Sequence, residues 1–388
     1  MVLRGTNQEQ ARPYNRRIVL ECIRNDGPQT RGEIAERVGL TVQTVSTIVR
    51  ELEEQGYLLS SRRAPKGRGL PATILNINPD GGYAIGLTVT PLGVEAALMN
   101  LAGDLLGSAG RACPHPTPKQ AFELIEELVA EVRVFRPAGR ILGVGFAMPG
   151  PFDVQAMSFV GPTTLDGWAG VPVRARLEEV TKLPTFIAVD TVAAALGVRL
   201  YGEGTSVRQF YYLHLGAGLG GTMMQDGVPL RGAWGNAGEI GHIQAIPGGL
   251  PCPCGNTGCL ERYLSLDSFS NRRQGQSEAD WVKEVTPIFH SAIRTIENLF
   301  DPQTIVLGGI AHSELIAALV ATTEQLQTSI SSRYDRTTPR VIASLANQSV
   351  LRGAAALAVS GVLSPRQEPT SSPGRARKRD PFSNGMAA

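Results

Sequence analysis

The sequence predicts two folded parts in one chain: a small basic module of three helices with a β-wing over residues 1–78, and a larger α/β body over residues 79–364. Apolar residues recur at helical spacing before residue 60, whereas strand-like and helix-like stretches alternate from residue 80 to residue 362. Charge divides the chain at the same place. Residues 1–78 hold 12 Lys+Arg against 8 Asp+Glu, a net +4, and residues 79–364 hold 20 against 25, a net −5. A basic front end points to a polyanion partner. Residues 365–388 return to a net +3 and are rich in Pro, Ser and Arg, which predicts a disordered basic tail. No run of 18 apolar residues occurs, so no membrane span is expected. No signal peptide is read at the start, which predicts a cytoplasmic, reducing location.

The first predicted helix carries Ile18, Val19, Cys22 and Ile23 as an apolar stripe, and Gly27-Pro28 ends it. The second opens at Thr30 with Glu33 three residues on, a capping box in which each side chain satisfies the other residue's backbone N–H. Gly39 stops it. The third spans about Thr41 to Gln55, with Val45, Ile48, Val49 and Leu52 as its core face. Its other face offers Gln43, Thr44, Ser46, Thr47 and Arg50, side chains suited to base edges and phosphates in a major groove. Beyond Tyr57, two short strand-like runs flank a Gly/Pro-rich tip crowded with Arg62, Arg63, Lys66 and Arg68, a basic wing able to reach phosphates or a minor groove. The module resembles a winged helix-turn-helix. A three-helix protein-interaction domain with a solvated basic loop is the competing reading.

In the body, AIGLTV and VEAALMN read as a hairpin around Pro91-Leu92-Gly93. Residues 119–135 read as a helix, and ILGVGFAMPG as a buried strand entering a Gly/Pro turn. FYYLHLGAGLGGTMMQDG reads as strand, glycine-rich turn and strand, and TIVLGG as a strand after a helix bearing Ile288, Ile293, Ile296 and Leu299.

One segment stands apart. Cys252, Cys254 and Cys259 follow His242, with Glu239 and Glu261 at the ends of the segment. A His followed by C-x-C-x4-C supplies the four donors of a closed tetrahedral Zn²⁺ site. The surrounding Gly and Pro suit a tight knuckle over residues 242–259. A disulfide fits poorly in a reducing compartment, and the spacing is not that of a C-x-x-C redox pair. The expected cofactor is therefore structural Zn²⁺.

LHLGAGLGG, GNAGEIGH and CPCGNTGCLE, with MPGPFD upstream and DPQTIVLGG downstream, resemble the ROK family of sugar kinases and sugar-responsive repressors. With the winged module in front, the chain is similar to the NagC/XylR-type repressors of that family. The resemblance implies a two-lobed, actin-like ATPase fold with a sugar cleft between the lobes and the zinc knuckle beside it. Its kinases place Asp-x-Gly-Gly-Thr after the first strand of the body. This chain has Thr88 in place of the Asp, and Thr90 and Pro91 in place of the glycines. Proline removes an N–H donor and fixes φ, so the loop is ill suited to wrap a phosphate. ATP is accordingly not expected as a cofactor. The family's Asn-Asp pair reads Val189-Asp190 here, leaving Asp190 to meet a sugar hydroxyl or to cap a helix. Glu239, His242 and Glu261 match the family's sugar-contacting positions, or else brace the metal loop.

These readings predict a DNA-binding regulator, a repressor, whose body senses a sugar through Asp190, Glu239, His242 and Glu261. Its expected partners are a near-palindromic double-stranded operator, a small sugar effector and further copies of itself, as a homodimer or homotetramer. A working sugar kinase with an appended DNA-binding module and a ligand-independent DNA-binding protein remain the alternatives.

Overall fold

The computed structural model of the protein describes residues 12–62, 73–136, 138–153, 158–159, 165–272, 275–332, 337–344 and 348–363. The N-terminal module comprises α1 (Arg12–Asp26), α2 (Arg31–Val38), α3 (Val42–Glu54), β1 (Leu58–Arg62) and β2 (Thr73–Ile77). Its sequence signals act as expected. Thr30 and Glu33 form the reciprocal capping box of α2, and Gly39 ends that helix in the left-handed region at φ 68. Val45, Ile48, Val49 and Leu52 are buried beneath α3. Strands β1 and β2 pair antiparallel as the wing, from Leu58↔Ile77 to Arg62↔Thr73. Of the wing's expected DNA contacts, Arg62 is exposed at the end of β1. Arg63, Lys66 and Arg68 lie outside the described residues, as does the predicted basic tail.

The body's first lobe runs through β3 (Tyr83–Thr90), β4 (Gly93–Asn100), β5 (Leu105–Ala112), α4 (Pro118–Arg133), β6 (Ile141–Met148), the two-residue strands β7 (Phe152–Asp153) and β8 (Ser158–Phe159), α5 (Val173–Thr181), β9 (Thr185–Val189) and α6 (Asp190–Tyr201). The second holds β10 (Gln209–Leu215), β11 (Leu219–Gln225), β12 (Val228–Pro229), α7 (Leu266–Arg272), α8 (Glu278–Phe300), β13 (Thr304–Gly309), α9 (Ser313–Ala321) and β14 (Val341–Ala343), after which the last helix, α10 (Ser349–Leu363), returns to pack on the first lobe's sheet. The sheet orders are β5-β4-β3-β6-β9 and β12-β11-β10-β13-β14. In each lobe the first three strands form an antiparallel meander, and the last two continue parallel to the first. The two lobes therefore repeat one topology, which is the two-lobed body the sequence predicts.

Two helices bind these parts together. Helix α10 is buried along most of its length and packs against α6, β3 and β6 at backbone distance. A β-carbon on Gly145 would stand 1.6 Å from the Ala354 carbonyl oxygen, and one on Gly353 would stand 1.7 Å from that of Ala193. Only glycine permits either approach. The second half of α10 joins the core of the N-terminal module. Ala355, Ala356, Ala358, Val359 and Leu363 share one apolar cluster with Ile18, Val19, Val45 and Leu52. At its edge Arg24 Nη1 donates to Ser360 Oγ at 3.1 Å, and Arg24 also pairs with Glu21 at 2.8 Å. The module is thus rooted in the body rather than tethered to it. One expectation shifts here: Leu299 of α8 is 68% exposed and sits outside the core of its lobe.

Gly145→Ala should lower the urea midpoint of unfolding by the equivalent of about 3 kcal/mol, because backbone, not a flexible side chain, occupies the space. An unchanged midpoint would show that α10 does not sit that close to β6.

Candidate functional site

A cleft of about 590 Å³ opens between the lobes, at the carboxyl ends of the parallel strands β3, β6, β9, β10 and β13. That is where open α/β sheets place their ligands. The first lobe contributes Thr88, Thr90, Pro91, Val189 and Asp190. The second contributes the glycine-rich turn from Gly216 to Gly221 together with Glu239, His242 and Glu261. The start of α10, Ser349 to Leu351, closes the back. Asp190, Glu239, His242 and Glu261, separated by 71 positions in sequence, therefore line a single cavity.

Each acid is held differently. Asp190 is the first residue of α6, with Val189 in the capping position, so it is not the N-cap. Its Oδ1 accepts the Thr191 N–H at 2.7 Å. Its Oδ2 lies 4.0 Å from Nε2 of His214. Glu261 Oε2 accepts the Leu219 N–H at 2.9 Å and so ties the metal loop to the glycine-rich turn. Glu239 opens onto the cleft. The protein packed around it raises its carboxyl above the ordinary glutamate range; His242 pulls it down, while Asp190 and Glu261 add to the rise.

The cysteine loop is shaped by two short antiparallel contacts, Gln244↔Cys259 and Pro251↔Thr257. They fold it so that His242 and the three thiols converge. The four donor atoms lie within 4.8 Å of one another. Cys252 Sγ is 3.7 Å from His242 Nδ1, and Cys254 Sγ is 3.6 Å from Cys259 Sγ. A tetrahedron with metal–sulfur bonds of about 2.3 Å has edges of about 3.8 Å, so this donor set fits a tetrahedral metal such as zinc. The thiols differ in their own right. The Asn256 backbone N–H draws Cys254 down to about 7, whereas burial pushes Cys252 up and Cys259 up to about 12. A divalent cation at their centre would let all three deprotonate together.

The hairpin between β3 and β4 is closed on itself. Leu92 N–H donates to Thr90 Oγ1 at 3.2 Å, and Pro91 has no N–H to give. Sequence reasoning missed His214 as a cleft residue. It is buried, burial lowers the pKa of its imidazole while Asp190 opposes that shift, and its Nδ1 has no partner among the described residues. The only signal was its place in the strand leading into the glycine turn. On the DNA-binding side, Gln43, Thr47 and Arg50 are exposed on α3, and Thr44 is half-buried at its start.

The ROK family model matches residues 84–360, nearly the whole body. The chain belongs to the ROK family. A winged helix-turn-helix DNA-binding model matches residues 13–58. Among ROK relatives, the xylose repressor of Caldicellulosiruptor bescii is 27% identical, over 92% of this chain and 98% of its own length. A glucokinase of Halalkalibacterium halodurans is 29% identical over 58% of this chain and 80% of its own. The crystal structure of a ROK family transcriptional regulator, a homologue of the E. coli MLC protein, superposes with a TM-score of 0.71 at 23% identity. That superposition covers 92% of this chain and 98% of the other, so both share the arrangement of winged module and two-lobed body. Among the described residues, no helix is long and apolar enough to cross a membrane.

The purified chain is expected to hold a single equivalent of divalent metal, measured by elemental analysis. Cys254→Ser should bring that content close to zero after dialysis. A metal-free wild-type protein would remove the metal centre altogether.

Proposed function

We propose that this ROK protein is a sugar-responsive transcriptional repressor, with residues 1–78 reading DNA and residues 79–364 holding the effector. The observation that carries this reading is the continuity between cleft and DNA-binding module. Helix α10 begins in the cleft wall at Ser349 and ends in the module's core at Leu363, a span of about 22 Å. A sugar that prefers one arrangement of the lobes thereby changes how the winged module is presented.

Asp190, Glu239, His242 and Glu261 are the proposed sugar contacts. Carboxylates accept hydrogen bonds from hydroxyls, and among the described residues the cleft lining includes four acids, counting Glu95, and no Lys or Arg. Zinc, bound by His242, Cys252, Cys254 and Cys259, would hold the loop that carries Glu239 and Glu261 in place. Gln43, Thr44, Thr47 and Arg50 of α3, with Arg62, Arg63, Lys66 and Arg68 of the wing, are the proposed DNA contacts. Two copies related by a two-fold axis would meet a near-palindromic operator, as a homodimer or within a homotetramer. Kinase activity is proposed to be lost. Pro91 has no N–H and the Leu92 amide already donates to Thr90 Oγ1, which counts against this hairpin's backbone cradling a phosphate.

The names of the repressor relatives make D-xylose the first sugar to test. A ligand at about 100 times its Kd should stabilise the chain by about 2.7 kcal/mol in a thermal-shift panel of neutral sugars. The same sugar should alter operator affinity, and Glu239→Ala should abolish that response while leaving sugar-free operator binding intact. An unaltered response in Glu239→Ala would remove Glu239 from the sugar site. With ATP-Mg²⁺ and the stabilising sugar, no ADP should be released; steady ADP release would restore the reading as a kinase.

A further inference from the structure

Helix α3 exposes an aliphatic side chain where a groove-reading helix meets base edges. Val42, its first residue, is 54% exposed. Valine is no better than average as a helix former, so local stability does not call for it there. The N-terminal residues of such a helix lie nearest the bases, and the apolar feature of the major-groove floor is the thymine 5-methyl group.

The neighbouring hydrogen bonds narrow what else can read sequence. Ser46 Oγ donates to the Val42 carbonyl at 2.8 Å, and Thr47 Oγ1 donates to that of Gln43 at 3.2 Å. The hydroxyls of Thr41 and Thr44 share a hydrogen bond of 2.8 Å, and Thr41 Oγ1 also accepts the Thr44 N–H at 3.1 Å. The Ser46 and Thr47 hydroxyl protons are therefore committed to the helix. Gln43 is exposed, and its amide engages no described residue. An amide offers one donor and one acceptor side by side, which matches N7 and N6 of adenine.

We infer that Val42 is a specificity-determining residue: it packs on the 5-methyl group of an operator thymine, while Gln43 spans an adenine beside it or paired with it. The operator half-site then carries A·T pairs beneath the start of α3. This inference rests on the DNA-binding reading above and adds to it a residue and a base.

The test uses the full-length chain. An operator is selected from a random duplex library, and each thymine in it is replaced in turn by deoxyuridine, which lacks only the methyl group. Binding of wild type and Val42→Ala is compared at one fixed salt concentration, since affinity depends strongly on salt. One replacement per half-site should weaken wild-type binding about fourfold, the value of one buried methyl. Val42→Ala should bind the thymine and deoxyuridine duplexes equally. If wild type tolerates every replacement, or Val42→Ala loses as much as wild type, Val42 does not read the methyl. If no sequence is enriched, the DNA-reading function itself fails, and this inference with it.

Discussion

The structure depends on the backbone contact between α10 and its neighbours. Gly145 and Gly353 let the helix approach β6 and α6 to a distance at which any β-carbon would collide with a carbonyl oxygen. At that separation α10 cannot slide freely, and any change at its cleft end is met as a shift of the whole rod. Dense interiors transmit displacement because they have few alternative packings. Helix α6 lies alongside α10, with Asp190 at its cleft end and Tyr201 packed against the module's core. The cleft and the DNA-binding helices are thereby two ends of one solid.

Much of this was legible in the sequence because the signals were local. The Thr30–Glu33 box, Gly39 and the apolar stripe of α3 are each set by residues within a few positions of one another, and each appears where it was expected. The metal loop was equally plain, since its three thiols fall within eight positions. What stayed hidden was non-local. Helix α10 reads SVLRGAAALAVSGVL, apolar without a clear face, because it is enclosed on nearly every side. Its role as a link depends on contacts with α1 and α6, far away in sequence. Strand β5, LLGSAGRA, is built mostly of small residues exposed at the sheet edge, and carried no alternation to mark it. His214 was invisible as a cleft residue because only the packing of β10 of one lobe against the start of α6 brings it to 4.0 Å from Asp190.

The acid cluster and the metal loop explain each other. Asp190, Glu239 and Glu261 face a shared cavity, and like charges at such range resist one another. Glu261 is held against that repulsion by the Leu219 N–H, and Asp190 by the Thr191 N–H and the end of α6. Glu239 has no such anchor on its side chain among the described residues, and the protein packed around it raises its carboxyl. A metal held by His242 and the cysteines would fix the loop bearing it from the other side. The pattern is one of preorganised acceptors held apart by a rigid frame, so that the frame rather than the ligand meets the ordering cost.

The apolar cluster that crosses from Ile18 and Val19 to Val359 and Leu363 also constrains how such a chain can be recombined. A DNA-binding head exchanged between distant relatives would arrive with the wrong knobs for the socket presented by α10. Diversification of operator preference is therefore easier by altering exposed positions of α3, which touch nothing in the body, than by swapping the head as a cassette. The solvent face of the module can drift from operator to operator, while its inner face and the far end of α10 must change in step.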